Sequence, residues 1–430
     1  MKSHAWFVPL LSLILVAALG CGKNKNPFGG QASDVCIIDT GSPNANVVVA
    51  HVAEIFGSFY LVGDVVEPGV GPSRLFAAVV HADCVMDDLL ITSIGTNPYN
   101  VARIVTPTRD GRILIRGGTH PAVPPPSQYY TMVLDRGLNP NHTEIDQSLR
   151  YFSIEQYTPY PDGTVVLIGD AGATFGLRKE NADGSPVLSF GGRGDGNITI
   201  SFSASYFSNG RSATLQGDRQ MLFAVGEVTR PGGVTTNAVA SLTPDGRMLS
   251  TNSFSAVEGN AEFSVASASR TGSGFVGATW SIPPSGGNII PPSGGNIRSF
   301  LYCASDDLTV DTSCGTDGWT EITLVPNAQH WILGLARREG GYVGLATSCS
   351  SGGQCRPFLF CADENIGLDT RCAEGGLRVI DLGLGDNFAR ALITRSNGTY
   401  IAAINSCPSP SACRPAFTCF GADLSPIDCQ

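Results

Sequence analysis

The sequence predicts an all-β protein, a seven-bladed β-propeller with four antiparallel strands per blade and an N-terminal strand closing the last blade. Three observations carry this expectation. A tight turn followed by an apolar run recurs along the whole chain, no helical periodicity interrupts it, and a segment near the N-terminus supplies the strand that the last repeat lacks.

The recurring runs are IFGSFYLVGD (55–64), RDGRILIRGG (109–118), PDGTVVLIGD (161–170), GDRQMLFAVGE (217–227), TGSGFVGAT (271–279), EGGYVGLAT (339–347) and SNGTYIAAIN (396–405). With Gly63, Gly117, Gly169, Gly226, Thr279, Thr347 and Asn405 as equivalent points, the steps are 54, 52, 57, 53, 68 and 58 residues. Asp-Gly and Asn-Gly at the turns mark hairpins, because both central residues must accept positive φ. VVLIG, ILIRG and MLFAVG are apolar without alternation, so both faces of these strands should be buried. A further strand precedes each turn, as in VARIVTP (101–107) and ARALITR (389–395). Two more follow, as in FGLRKEN (175–181) and NITISFS (197–203). The long step contains the octapeptide IPPSGGNI twice, at 282–289 and 290–297, a tandem duplication of the kind a loop tolerates.

Closure sets the blade count. The seventh unit ends at Cys429-Gln430 without residues for its fourth strand, whereas CIIDTGSPNANVVVAHV (36–52) aligns without gaps to RVIDLGLGDNFARALIT (378–394). Val35–Thr40 should therefore complete the seventh blade and remove an open sheet edge. The expected organisation is a leader at 1–20, a tether at 21–34 and one propeller domain over 35–430.

The leader has Lys2, the apolar run Phe7–Leu19 and a small residue before Cys21, the pattern of an export signal rather than a membrane span. Ala18-Leu19-Gly20-Cys21 resembles a bacterial lipobox. That resemblance implies cleavage before Cys21 and its acylation, hence a lipid-anchored envelope protein, at the outer membrane or cell surface. Thirteen cysteines minus Cys21 leave twelve, an even set suited to an oxidising compartment. Loop context suggests the pairs Cys303–Cys314, Cys349–Cys355, Cys361–Cys372, Cys407–Cys413 and Cys419–Cys429, with Cys36–Cys84 remaining; spacing alone does not fix connectivity. Without CxxC or a histidine cluster, no zinc site is expected.

Charged residues make up only 15% of the chain, lysines number four and the net charge is −10, which argues against a nucleic-acid partner. The stretch FGLRKENADGSPVLSFGGRGDGNITISF (175–202), with PDGTVVLIGD before it and TPDGRML (243–249) after it, resembles the bacterial delta-60 repeat. The match includes Asp183-Gly184 and the Ser189-Phe190-Gly191-Gly192 corner, while Pro186-Val187 replaces the family's leucine-aspartate. Fragments of the corner return at Val310-Asp311-Thr312 and Leu368-Asp369-Thr370. The family is defined by its repeats, so the resemblance implies a fold and no catalytic residues.

Within this corner GGRGDG fits neither a dinucleotide GxGxxG nor a calcium-binding GGxGxD, because Gly196 stands where the last aspartate would be. Arg193-Gly194-Asp195 is read as turn chemistry rather than an adhesion signal. GxSxG, HExxH and GxxxxGK are missing, and no cofactor or metal ligand set is assigned. Asn-x-Thr triplets begin at Asn141, Asn197 and Asn397, but a lipobox implies a bacterium and so argues against glycosylation. The expectation is a non-catalytic binding or scaffold module for a protein or glycan, held to a membrane through Cys21. The alternative is an extracytoplasmic metal-dependent hydrolase or lyase using the channel, suggested by Asp64, Asp170 and Glu227 at equivalent strand ends, where they would either hold a cation or stand solvated.

Overall fold

The computed structural model describes residues 35–40, 45–67, 71–94, 99–120, 128–150, 152–172, 174–202, 207–216, 221–257, 260–283, 297–350, 352–383, 385–409 and 412–429. The leader, Cys21 and the tether lie outside the described residues, as do residues 284–296 of the octapeptide repeat.

Seven antiparallel sheets follow one another in chain order, each a meander whose first strand is at one edge and whose fourth is at the other. The first strands are Asn46–Ile55, Tyr99–Pro107, Phe152–Pro159, Phe207–Gln216, Ala261–Ser269, Gln329–Arg338 and Asp386–Thr394. Successive first strands pack against each other, and that of blade 7 returns to that of blade 1, so these strands surround the axis. The chain is an all-β, seven-bladed propeller. The second and third strands are buried on both faces, as their unbroken apolar runs require; Thr235–Leu242 is buried at every position. The core lies between neighbouring blades: Val166, Phe175 and Leu177 of blade 3 pack with Leu222, Ala224 and Ala238 of blade 4.

The N-terminal strand Cys36–Ile37 pairs with Ala412–Phe420 of blade 7, Cys36 opposite Phe417 and Ile37 opposite Ala416. Blade 6 repeats that register with Arg378 opposite Leu359 and Val379 opposite Phe358. Ile38 N donates to Pro415 O as Ile380 N does to Pro357 O, both at 2.9 Å. The alignment holds across the closing strand, Cys36–Ile38 matching Arg378–Ile380, but slips by two residues in the first strand, where the register equates Ala50 with Arg390. One further detail differs from expectation. Pro426–Ile427 also pairs along the same strand, at Phe420 and Cys419, so the outer position is shared by the two termini.

Cys36 is bonded to Cys84, which joins blade 7 to the turn between the third and fourth strands of blade 1. Cys303–Cys314, Cys349–Cys355, Cys361–Cys372, Cys407–Cys413 and Cys419–Cys429 are also bonded, each within one blade. The corner opened by Asn181 explains two of these disulfides, Cys303–Cys314 and Cys361–Cys372. Gly191 N donates to Asp245 O of the next blade at 2.8 Å, and the corners of blades 5 and 6 do the same through Gly315 to Asn365 O and Ala373 to Asp423 O. Phe190, 1% exposed, plugs the blade 3 corner where Cys314 and Cys372 stand in blades 5 and 6. A cystine replaces an aromatic plug at the same place. In the Arg193-Gly194-Asp195 stretch, Asp195 Oδ1 accepts from Asn197 N at 3.0 Å, which is turn chemistry.

Blades 2 and 3 share a buried charge network. Glu180, fully buried, accepts from Arg116 Nε at 2.6 Å, Arg178 Nε at 2.7 Å and Tyr129 Oη at 2.8 Å. Arg116 also donates to Thr106 Oγ1 at 2.7 Å.

Candidate functional site at the channel mouth

Each first strand carries one β-bulge at the same place. Register skips Ala50, Arg103, Glu155, Arg211, Val265, Leu333 and Arg390 in blades 1 to 7. A bulge leaves its residue unpaired and re-aims the side chain, here around the axis. The close approach is visible opposite the bulge: a Cβ on Gly63 or Gly226 would lie 1.9 or 1.8 Å from the carbonyl oxygen of Val48 or Asn209. The bulges align Ala346 and Ile404, one residue before Thr347 and Asn405, with Gly63 and Gly226.

The residue after that aligned point is Asp64 in blade 1, Asp170 in blade 3 and Glu227 in blade 4. In blades 5, 6 and 7 it is Trp280, Thr347 and Asn405. Thr347 Oγ1 accepts from Ala389 N, and Asn405 Oδ1 from Val49 N, both at 2.9 Å. The position therefore faces the first strand of the next blade. The three acids sit there half-buried or buried, so none is a solvated strand end.

Around the axis these groups fall into sectors. In blades 3 and 4, Arg211 Nη2 contacts Glu227 Oε1 at 2.7 Å and Arg211 Nη1 contacts Glu155 Oε1 at 3.3 Å. Asn209 Nδ2 donates to Glu227 Oε1 at 3.1 Å. Asp170 Oδ1 is buried without a partner, and burial, helped by the Glu155 and Glu227 charges and opposed by Arg211, pushes this carboxyl up to about 7.

In blades 7, 1 and 2, Arg390 and Arg103 flank Asp64. Burial raises the Asp64 carboxyl while both arginines pull it down. Burial lowers the Arg390 guanidinium, with Asp64 opposing and Arg103 adding to the effect. Yet the Arg390 side chain is exposed. The two facts meet in a channel, where water reaches the side chain while surrounding protein weakens its solvation. Arg103 and Arg390 leave the bulges on either side of blade 1, whose own bulge residue is Ala50. Three arginines against four carboxylates make the ring formally −1.

Blades 5 and 6 place Val265 and Leu333 at the bulge. Before the bulges, Phe263 stacks on Trp280 with centroids 4.5 Å apart, and Trp331 and Phe388 stand half-buried at the matching positions of blades 6 and 7. Tyr99 and Phe207, 44% and 39% exposed, begin the first strands of blades 2 and 4. Past the bulges Ile104 and Ala266 turn into the inter-blade cores, and His51 of blade 1 lies edge-on to Tyr157 of blade 3 at 5.3 Å, closing the axis below the bulge ring. Burial takes the His51 imidazole down to about 4, so it is neutral at pH 7. The result is a mouth, open where the first strands begin, over a packed floor.

Of the acids singled out from the sequence, the structure brings Asp170 and Glu227 together and sets Asp64 apart. Arg103, Glu155, Arg211, Arg390 and the aromatic side chains join them without any motif in the sequence that names them. Their signal was present, since each bulge residue precedes the end of the aligned apolar run by a nearly constant interval. Among the described residues, no group of three or more His, Cys, Asp or Glu side chains is arranged to hold a metal ion.

No protein-family model matches the chain, and no curated protein matches it. Solved structures with a similar fold include the propeller domain of the Trilobed protease from Pyrococcus furiosus (TM-score 0.47, 10% identity, 89% of this chain and 95% of that one). Drosophila Plexin A in complex with Semaphorin 1b is another (0.45, 9%, 90% and 86%). A third is the alpha-L-arabinofuranosidase Arb93A from Fusarium graminearum (0.42, 9%, 86% and 92%). At these identities the likeness is one of fold alone.

Proposed function

We propose that this chain is an exported, membrane-tethered binding module whose propeller takes a glycan at the channel mouth. The observation that carries the reading is the juxtaposition of Phe263, Trp280, Trp331 and Phe388 with a ring of charged groups above a packed floor. Aromatic faces receive the C–H faces of sugar rings, and a few convergent polar groups fix orientation, the usual make-up of a small-ligand site. Six disulfides support an extracytoplasmic address. The leader and the lipobox-like Ala18–Cys21 support a lipid anchor on Cys21, with a bacterial envelope as the location. Replacing Cys21 by alanine should move the protein from the membrane to the soluble fraction.

The test of binding is titration of the purified protein with neutral and acidic oligosaccharides, followed by intrinsic tryptophan emission. Saturable changes that Trp331→Ala abolishes are expected. Saturable binding that is indifferent to Trp331→Ala and Phe388→Ala would overturn the reading, as would recovery of a protein partner through the same mouth with no glycan bound.

A second reading, an extracytoplasmic hydrolase or lyase, draws on Asp170. A carboxyl at about 7 in a channel has the protonation range of a general acid. Release of new reducing ends, lost in Asp170→Asn, would establish it.

A further inference from the structure

We propose that Arg103 and Arg390 together receive an oxyanion carried by the ligand, a sugar carboxylate first of all, so that the mouth selects acidic over neutral glycans. The inference rests on the glycan reading above and adds the group that confers selectivity. Both side chains leave bulges, in blades 2 and 7, and the blade between them has Ala50 at the same position. Alanine leaves the space in front of blade 1 open, and the two guanidiniums flank it. Among the described residues, neither guanidinium makes a hydrogen bond or ion pair with a protein acceptor, Asp64 included.

The third arginine of the ring behaves differently. Arg211 is committed to Glu227 and Glu155 and offers little to a ligand. Most other arginines near an acid are likewise engaged, as Arg395 is with Glu54 at 2.6 Å and Arg116 with Glu180 at 2.6 Å. A guanidinium has a planar fork of donors that matches a carboxylate in two parallel hydrogen bonds. Two unspent forks facing one opening are therefore a receptor for an oxyanion. Asp64 opposes such a ligand, but it sits on the second strand, opposite Val48 and behind the bulge layer. Two cations against one anion leave this sector at +1. The aromatic side chain Phe388 is two residues before Arg390 on the same face of its strand, so a sugar ring stacked there carries its carboxylate toward the pair.

The test compares an oligogalacturonide with its methyl ester, in which each carboxylate is replaced by a neutral ester, by titration calorimetry on the full chain. Wild-type protein should prefer the acid form by about tenfold or more, the size of one charge-assisted fork. In Arg103→Gln/Arg390→Gln the ratio of affinities should fall to about one. Arg390→Lys, which keeps the charge and loses the fork, should fall between. A preference that survives the double substitution, in a variant whose urea midpoint matches wild type, overturns the assignment and leaves the glycan reading standing. Failure of both acid and ester to bind wild type brings down the glycan reading itself. Inorganic phosphate is the free-ion probe: competition with the acid form, lost in the double variant, supports a general oxyanion receptor. Competition that the double variant retains overturns the assignment.

Discussion

The disulfide between Cys36 and Cys84 is the only one of the six that crosses a blade boundary, and its removal should cost the most stability. The closing strand itself is short, with two paired residues and one hydrogen bond from Ile38 to Pro415 tying it to blade 7, beside a core in which Val47, Val49 and Phe59 of blade 1 pack on Ile401, Ala403 and Phe417 of blade 7. Cross-linking limits the entropy of the unfolded chain according to the length of the loop it closes. For the 48-residue separation of Cys36–Cys84 the relation gives about 4 kcal/mol. For the separations of 10 and 11 it gives about 2.7 kcal/mol, and for the two of 6 about 2.2 kcal/mol. Cys36→Ser/Cys84→Ser should therefore lower stability by nearly twice as much as Cys407→Ser/Cys413→Ser. It should also speed amide exchange in the first strand of blade 1 and the last strands of blade 7. Urea unfolding followed by circular dichroism gives the first quantity, and hydrogen exchange with mass spectrometry gives the second. Equal losses for the two double variants, or exchange that quickens evenly around all seven blades, would refute the view that this bond is a ring clasp.

Other expectations follow from the buried charges and the corners. Glu180→Ala leaves Arg116 and Arg178 buried without their carboxylate and should cost about 3–5 kcal/mol, read from the same urea midpoint. Asp170 holds a proton in the folded protein up to about 7, while the unfolded chain releases it near 3.8. The folded state thus binds the extra proton between those values, so stability declines as pH rises from about 4 to 7 and stays low above. Asp170→Asn should flatten that decline and raise the midpoint at pH 8, by roughly 1–3 kcal/mol. Gly191 has φ 74, and a Cβ there would sit 2.5 Å from Ile198 Cγ1. Gly191→Ala should cost about 2 kcal/mol or more, and Gly194→Ala, whose Cβ meets nothing within 4 Å, only about 1 kcal/mol. Matching losses at the two glycines would contradict the corner packing.

The ring was legible in the sequence because its determinants are local and repeated. Asp-Gly turns, apolar runs buried on both faces and the match of Cys36 to Arg378 each occur at a fixed place in the repeat, and the strand register reproduces them. The glycine-rich stretch around Phe190 was legible for the same reason: its glycines serve a corner that blades 5 and 6 build with cystines. The mouth was harder to see. A bulge shifts side-chain alternation by one residue, so Arg103, Arg211 and Arg390 read along the chain as ordinary polar positions of half-buried strands. Trp331 and Phe388 look like core residues, since an apolar side chain facing a channel and one facing a neighbouring blade give the same pattern. Asp64, Asp170 and Glu227 could be placed at matching strand ends. Only the packing distinguishes Glu227, held by Arg211 and Asn209, from Asp170, half-buried with one oxygen unpartnered. The one-residue shift at Ala346 and Ile404 has the same origin, because the run endings agree by composition while the strands align by the bulge.

The central claim is that the channel mouth, rather than the outer strands or the far face, is where this protein meets its ligand. Hydroxyl-radical footprinting of the purified protein, with and without saturating acidic oligosaccharide, reads this residue by residue. Protection should concentrate on Phe263, Trp280, Trp331 and Phe388, and leave Leu188, 56% exposed on the corner of blade 3, unchanged. Protection at Leu188 and other outer positions, with the four mouth aromatics reacting as before, would contradict the account.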